Sequence, residues 1–136
     1  MTIDIALPFY GDVDFMKQTV ASVLNQTDPN WRLIVVDDGY PDETLPSWFE
    51  GLGDGRIEYQ RNVQNLGANV NFQKCLGLLS AEYCLVMGAD DLLESNFVER
   101  INELISTHPG VSMIHPGVKV IDEKNEFIST RSDQIK

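Results

Sequence analysis

The sequence is poor in basic residues, cysteine and histidine, and it contains no long apolar run. Its 10 Lys and Arg are outnumbered by 21 Asp and Glu, which leaves a net charge of −11. Proteins that bind nucleic acid through its phosphates use clustered basic side chains, so we expect no nucleic-acid partner. An anionic ligand such as a nucleotide would instead need a divalent cation to offset this negative charge.

The few cysteines and histidines argue against a disulfide and against a zinc site. Cys75 and Cys84 lie in apolar stretches, which favours buried thiols in a reducing compartment. His108 and His115 are far from other zinc-ligand types. No apolar stretch approaches the roughly 20 residues that span a bilayer, and the N-terminus lacks the features of a secretory signal. We therefore expect no transmembrane segment and a cytoplasmic location, for a longer protein either there or at the inner face of the membrane.

Apolar strands alternate with amphipathic helices along the chain. Its 136 residues, 43% of them hydrophobic, suit one domain, to which we assign residues 1–136. The predicted strands are 2–7, 31–36, 56–60 and 83–87, with 111–115 and 118–122 as further candidates and a polar turn at 122–126. Helical spacing of apolar residues occurs at Met16, Val20, Val23 and Leu24, at Phe72, Leu76 and Leu79, and at Phe97, Ile101, Leu104 and Ile105. This alternation predicts an α/β fold with a mostly parallel sheet flanked by helices on both faces.

Polar residues follow each of the first four predicted strands, in the sequences "PFYGD", "DDGYPD", "RNVQNLG" and "GADD". The carboxyl ends of parallel strands meet at one edge of a sheet, and ligands bind beyond that edge. We therefore expect Asp38, Asp90 and Asp91 to lie around one crevice, although they are far apart in sequence.

The segment after the second strand and the "NLG" stretch (65–67) each allow two interpretations. Asp37 and Asp38 either form a turn, with Asp42 or Glu43 capping the next helical segment, or accept hydrogen bonds from a base or sugar. The glycine of "NLG" either serves a simple turn or lets backbone amides approach a phosphate. The chain contains neither GxGxxG nor GxxxxGK[ST], so the two best-known nucleotide-binding loops are absent.

Asp90 and Asp91 form a second acidic pair, directly after the fourth predicted strand. Adjacent carboxylates at the end of a buried strand are costly to desolvate. Asp91 could start the following helix, or the pair could bind a hard cation. Mg²⁺ and Mn²⁺ take one or two carboxylates and complete their shell with substrate phosphates and water. The pair therefore predicts a site for Mg²⁺ or Mn²⁺.

In their order and spacing, these motifs resemble those of the inverting glycosyltransferases of family 2, which have the GT-A fold. The similar blocks are "IALPFYGDVDFMKQTVASVLNQTDPNWRLIVVDDGYPDET", "NLG" and "SAEYCLVMGADDLLE", and the resemblance covers nearly all of residues 2–121. It implies the nucleotide-sugar-binding part of a metal-dependent enzyme. Such an enzyme transfers a sugar from a UDP- or dTDP-sugar to a glycan or lipid-linked acceptor, commonly in cell-surface polysaccharide synthesis.

The resemblance also implies roles for individual residues. The nucleobase would be held at Pro8, Phe9 and Asp38, the ribose by Asp90, and the metal by Asp91. Asn65 and Gly67 of "NLG" are added to the nucleotide-sugar site. The chain departs from the family's commonest acidic motif at Gly88, where that motif has another Asp.

The general base and the acceptor-binding half of such enzymes have no counterpart before Lys136, so we expect the chain to be part of a longer transferase. A noncatalytic nucleotide-binding module is the main alternative. A phospho-receiver domain would carry its acidic pair after the first strand, where this chain has Pro8. A nucleotidyltransferase would carry a basic, glycine-rich loop there, and "PFYGDVD" contains no Arg or Lys.

A polypeptide of residues 1–136 by itself is expected to bind a nucleotide diphosphate weakly with Mn²⁺ or Mg²⁺ but to show no appreciable glycosyl transfer. General-base catalysis typically contributes about 10²- to 10⁴-fold, and the loss of acceptor positioning costs more. Donor turnover over a broad acceptor panel measures this. Robust metal-dependent turnover would place a base within these residues, with Asp12, Asp42 and Asp122 the first candidates to test.

Overall fold

The computed structural model describes residues 1–128, which form one four-stranded parallel sheet, a short hairpin and four helices. The sheet has the order β3-β2-β1-β4, and its strands are β1 (Ile3–Phe9), β2 (Trp31–Asp37), β3 (Ile57–Arg61) and β4 (Tyr83–Val86). The antiparallel hairpin consists of β5 (Val120–Ile121) and β6 (Phe127–Ile128). The helices are α1 (Val13–Leu24), α2 (Leu45–Gly51), α3 (Ala68–Leu78) and α4 (Phe97–Thr107).

Helices cover both faces of the sheet. Alternate residues of its buried central strands point to opposite sides, so each face presents apolar side chains that need a covering element. On one face Ile5 and Leu7 belong to a core that also includes residues of α1, α2 and α4. On the other face Ala6 and Ile34 pack with Cys75 of α3. The predicted α/β fold is therefore confirmed. The assignment of residues 1–136 to one domain includes 129–136, which lie outside the described residues.

Pro8 determines where β1 and β4 separate. The last hydrogen bond between these two strands runs from the Met87 amide to the Ala6 carbonyl, at 3.0 Å. The next bond in this ladder would need an amide N–H on Pro8, and proline has none. On its other side β1 stays paired with β2 as far as Phe9, opposite Asp37. A gap therefore opens beyond the carboxyl ends of β1 and β4, at the point where the strand order reverses.

Two local predictions were wrong. Cys84 is exposed because it lies in an edge strand of the described sheet, whereas Cys75 is buried as expected. The stretch 111–115 forms no strand, since no described strand pairs with it. The helix predicted from Phe72, Leu76 and Leu79 is confirmed as α3. Phe72 and Leu76 are exposed, and the side that faces the sheet carries Asn71 and Cys75.

The polar turn at 122–126 connects β5 and β6 as predicted: the Asp122 amide donates to the Glu126 carbonyl at 2.9 Å. None of the helices in the described part of the chain has the length and apolar character needed to cross a membrane.

Asp4 joins three elements at the amino-terminal edge of the sheet. Its buried carboxylate accepts hydrogen bonds from Nε and Nη2 of Arg32, at 3.0 and 2.9 Å, and from the amides of Ser80 and Ala81, at 2.8 and 3.0 Å. Arg32 also donates to the Leu78 carbonyl at 3.1 Å, so the pair anchors the end of α3. Burial acts to raise the pKa of Asp4, but the hydrogen bonds from Arg32 and the two amides outweigh it and lower the pKa.

Asp4→Ala is expected to lower the free energy of unfolding by about 3–5 kcal/mol, because the change leaves a guanidinium and two amides without their acceptor. Urea denaturation followed by circular dichroism measures the effect. Glu103→Ala is the control: it removes an exposed ion pair with Arg100 and should cost no more than about 1 kcal/mol. Equal costs for the two variants would contradict the role given to Asp4.

The contribution of Asp4 also depends on pH in a defined direction. The folded-state pKa lies below the unfolded value, near 3.8, so this stabilisation is fully present above that value. It is lost as the pH falls from there through the lowered folded-state pKa. The free energy of unfolding of the parent should therefore fall more steeply below pH 3.8 than that of Asp4→Ala.

Candidate functional site

A pocket of about 280 Å³ opens at the carboxyl edge of the sheet, in the gap beyond the ends of β1 and β4. Residues after β1, the first turn of α1 and the loop after β4 form its wall. The lining residues are Pro8, Tyr10, Gly11, Asp12, Phe15, Ala89 and Asp90. The structure thus brings together Pro8 and Asp90, two of the predicted site residues, from distant parts of the sequence.

The carboxylates of Asp90 and Asp91 converge over Gly88. A Cβ atom added at Gly88 would lie 2.9 Å from Oδ2 of Asp91 and 3.0 Å from Oδ1 of Asp90, so a side chain there would displace one or both. Both acids are exposed in an irregular segment. Helix α4 begins only at Phe97, so Asp91 does not start it. The glycine that departs from the family's commonest motif therefore leaves room for the arrangement of the pair.

Two exposed carboxylates fit a cation that is shared with a ligand. Within residues 1–128, no group of three or more His, Cys, Asp or Glu side chains could hold a metal ion. A site held by the protein alone would need more oxygen ligands than Asp90 and Asp91 supply. Mg²⁺ and Mn²⁺ bound through one or two carboxylates take the remaining ligands from phosphates and water.

Asp38 lies at the same edge but is buried beneath the "NLG" loop. Its carboxylate accepts hydrogen bonds from Nδ2 of Asn62 at 2.9 Å and from the amides of Leu66 and Gly67 at 2.8 and 3.0 Å. The Gly67 amide also donates to Oδ1 of Asn65, at 2.9 Å. A carboxylate has about four acceptor positions, so Asp38 retains capacity for one more donor. Neither Asp38 nor Asp91 lines the pocket described above.

Asp37 serves the turn that follows β2. It is fully buried and accepts hydrogen bonds from the Tyr40 amide at 2.9 Å and from the Tyr59 hydroxyl at 2.6 Å. Burial, together with the hydrogen bond to Asp37, raises the pKa of Tyr59. Of Asp37 and Asp38, the structure therefore gives Asp37 the turn-forming role.

Gly39 lets this turn pack closely against the loop that carries "NLG". Its φ is 74°, in the region that favours glycine. A Cβ atom at Gly39 would lie 3.0 Å from the carbonyl carbon of Gln64 and 3.1 Å from the amide nitrogen of Asn65. Both are backbone atoms, so an added side chain could be accommodated only by moving the loop.

Phe9, at the end of β1, and Tyr10, directly after it, divide between core and pocket. Phe9 is 1% exposed, and its ring lies 5.4 Å from that of Tyr40. Tyr10 is 55% exposed, lies 5.2 Å from Tyr40 and lines the pocket. Sequence reasoning chose Phe9 and missed Tyr10. The alternation of side chains along β1 could have shown that Phe9 points inward with Ile5 and Leu7.

Asn62 and Asn71 were also missed, although they connect Asp38 to the interior. Nδ2 of Asn62 donates to Oδ1 of Asn71 at 3.0 Å, and Nδ2 of Asn71 donates to the Val36 carbonyl at 3.0 Å. Lys74 donates to Oδ1 of Asn62 at 2.5 Å. A signal was present in the sequence, since Asn71 is one helical turn before Cys75 and shares its face.

The three acids named as candidate bases all support local backbone. Asp12 lines the pocket, but Oδ1 caps α1 through the Phe15 amide at 2.8 Å. Asp42 accepts from the Thr44 amide at 2.9 Å. Asp122 accepts from amides in its own turn and lines a second pocket, of about 220 Å³, which shares Phe15 and Asp90 with the first.

The family model described as "Glycosyl transferase family 2" matches residues 4–133. The chain belongs to glycosyltransferase family 2. The resemblance inferred from its motifs is thereby confirmed. The acidic pair Asp90 and Asp91 follows β4, beside the point where the strand order of the sheet reverses.

Relatives in bacteria carry glycosyltransferase names. An uncharacterized glycosyltransferase of Haemophilus influenzae is 28% identical over 124 residues, which cover 90% of this chain and 38% of the relative. TuaG of Bacillus subtilis, provisionally named a teichuronic acid biosynthesis glycosyltransferase, is 31% identical over 72% of this chain and 39% of its own length. WfgD of Escherichia coli, named UDP-Glc:alpha-D-GlcNAc-diphosphoundecaprenol beta-1,3-glucosyltransferase, is 26% identical over 90% and 48% respectively. This family 2 chain thus spans less than half of each relative.

Two solved structures share the fold. TarS residues 1–349 of S. aureus, in complex with UDP-GlcNAc, align with a TM-score of 0.71 at 20% identity, over 79% of this chain and 32% of that one. The mannosyltransferase PcManGT from Pyrobaculum calidifontis, in complex with GDP-Man and Mn²⁺, aligns with a TM-score of 0.66 at 17% identity, over 80% and 33%. At these identities the likeness establishes the fold of this family 2 chain, which is GT-A.

Gly39→Ala is expected to lower the free energy of unfolding by at least about 1 kcal/mol more than Gly53→Ala, because only the former adds a steric clash. Gly53 is a matched control, since its φ is 61° and nothing lies within 4 Å of an added Cβ. Urea denaturation measures the difference. The NMR amide signals of Leu66 and Gly67 should shift in Gly39→Ala alone, and equal behaviour of both variants would contradict the close packing.

Proposed function

We propose that this chain is the nucleotide-sugar-binding part of a glycosyltransferase, which transfers a sugar from a nucleotide diphosphate sugar to an acceptor hydroxyl. The observation that carries the proposal is the convergence of Asp90 and Asp91 over Gly88, with Asp90 in the pocket that also contains Pro8. Membership of glycosyltransferase family 2 supports this reaction over a noncatalytic binding role.

The nucleoside is proposed to bind at the ends of β1 and β2. Asp38, with one acceptor position left, accepts a hydrogen bond from the base, and Pro8 contributes to the pocket wall. Phe9 supports the base site without lining the pocket, because its buried ring packs against Tyr40. Asp90 accepts a hydrogen bond from the ribose.

The loop before α3 is proposed to contribute Asn65 and Gly67 to the nucleotide-sugar site. The Gly67 amide donates to Asp38 and to Asn65, and these two acceptors fix the backbone of the loop. Gly67 has a φ of 94°, which supports a tight turn at the N-terminus of α3.

Mg²⁺ or Mn²⁺ is the proposed cofactor, with Asp91 as its protein ligand beside Asp90. When bound, such a cation neutralises the charge that develops on a departing diphosphate. The net charge of −11 adds a reason, since a nucleotide diphosphate would otherwise approach a protein of its own sign. The presence of Mn²⁺ in the PcManGT complex gives further support.

The proposed donor is a UDP- or dTDP-sugar, and the proposed acceptor is a glycan or lipid-linked intermediate of cell-surface polysaccharide. UDP-GlcNAc in the TarS complex and UDP-Glc in the name of WfgD favour UDP. The diphosphoundecaprenol acceptor in the name of WfgD supports a lipid-linked acceptor. Such an acceptor would place the transferase in the cytoplasm at the inner face of the membrane.

Asp91→Ala is expected to abolish the Mn²⁺-dependent part of UDP binding, because it removes the metal ligand. Asp90→Ala should weaken binding by about tenfold or more, through the lost ribose hydrogen bond, while keeping the dependence on Mn²⁺. Isothermal titration of UDP with Mn²⁺ and with EDTA measures both.

Glu82→Ala is the control for this pair of variants. It removes an exposed carboxylate just before β4, at the opposite end of the same strand, and should bind UDP as the parent does. If Asp90→Ala and Asp91→Ala also match the parent, the acidic pair has a structural role only and the proposal is wrong.

A further inference from the structure

The acidic pair lies in a segment without regular secondary structure, residues 88–96, between the end of β4 and α4. Backbone groups in such a segment have no strand or helix partner, and buried ones need hydrogen bonds from elsewhere. The conformation that makes Asp90 and Asp91 converge must therefore be held by other parts of the fold.

α1 and the chain directly after it supply these partners. Thr19 and Ser22 lie on one side of α1, Gln26 follows two residues after its end, and Thr19 is fully buried. The Thr19 hydroxyl lies 2.7 Å from the Asp91 carbonyl oxygen and 3.0 Å from that of Ala89. Its single proton is shared between these carbonyls and that of Phe15 in its own helix, at 3.1 Å.

Ser22 and Gln26 continue the contact along the segment. The Leu93 amide donates to the Ser22 hydroxyl at 3.1 Å. Nε2 of Gln26 donates to the Glu94 carbonyl at 2.7 Å, and its Oε1 accepts from the Val98 amide at 2.9 Å. Thr19 and Ser22 of α1 and Gln26 just beyond it thus bind five backbone groups between Ala89 and Val98.

We propose that Thr19 is a positioning residue for the cation site, supported by Ser22 and Gln26. By binding the carbonyl of Asp91 it fixes the backbone that carries the metal ligand and directs both carboxylates to one point. Partners that orient a metal ligand raise affinity although they do not touch the metal. The inference rests on the proposed function of Asp90 and Asp91, and it assigns a role to the "SVLNQT" phrase (22–27) of the family resemblance.

The hydroxyl of Thr19, not its bulk, is the group that acts on the loop. Valine has nearly the same shape and would fill the same space between α1 and the segment. It would leave the Asp91 and Ala89 carbonyls without this donor. Thr19→Val therefore removes the positioning contact with little change in packing, and Thr19→Ser restores the donor.

The test compares Thr19→Val, Thr19→Ser and Thr107→Val in the full chain. Thr107 is a matched control because its hydroxyl binds carbonyls of Glu103 and Leu104 in its own helix α4. Titration with UDP and Mn²⁺ should show about 10- to 100-fold weaker binding for Thr19→Val. The other two variants should stay within about twofold of the parent, and binding in EDTA should change little in any of them.

A second measurement needs neither metal nor nucleotide. Hydrogen exchange of the amides in residues 88–94 should be faster in Thr19→Val than in the parent, and unchanged in Thr19→Ser and Thr107→Val. A merely destabilised protein would instead exchange faster throughout and would bind UDP more weakly with EDTA as well. If circular dichroism shows that Thr19→Val is unfolded, Ser22→Ala replaces it under the same criteria.

The outcomes separate this inference from the proposed function. If Asp91→Ala loses Mn²⁺-dependent binding while Thr19→Val keeps that of the parent, the positioning role is overturned and the proposed function stands. If the parent itself shows no Mn²⁺-dependent UDP binding, the proposed function fails and this inference fails with it.

Discussion

The loops at the carboxyl edge of a parallel sheet have no strand partners, and this constraint shapes the whole candidate site. Their buried backbone groups must find hydrogen bonds elsewhere, because each unsatisfied group costs about 1–3 kcal/mol. Asp38 accepts from the amides of Leu66 and Gly67, and Thr19 donates to the carbonyls of Ala89 and Asp91. Loops from separate strands are thereby tied to each other and to α1, so the site is ordered by the fold itself.

The two acidic pairs at this edge use the same chemistry in opposite environments. Asp37 and Asp38 are buried and surrounded by donors, so their charges hold loops in place. Asp90 and Asp91 are exposed and converge over a glycine. Water screens the Coulomb repulsion between the second pair, and the proposed cation would neutralise it. This difference in surroundings leaves the second pair free for a ligand.

Pro8 links the architecture of the sheet to the position of the pocket. Because it has no N–H, one backbone hydrogen bond between β1 and β4 cannot form, and the two strands separate where the strand order of the sheet reverses. The resulting gap receives Tyr10 from one side and Asp90 from the other. A residue with an N–H at this position could extend the ladder and narrow the gap. One missing donor therefore contributes to both the fold and the site.

The sequence by itself determined the alternation of strands and helices and the edge at which the acids lie, because these follow from local apolar patterns and chain direction. The order of its motifs indicated the family by resemblance. It could not decide that Tyr10 reaches the pocket, or that Asn71 on the sheet-facing side of α3 accepts a hydrogen bond from Asn62. Nor could it show that Asp38 is enclosed by the loop 62–67 and that Thr19 holds Asp91 from 72 residues away. Burial and hydrogen-bond partners depend on segments that meet only in the folded chain, and only the tertiary structure brings those segments together.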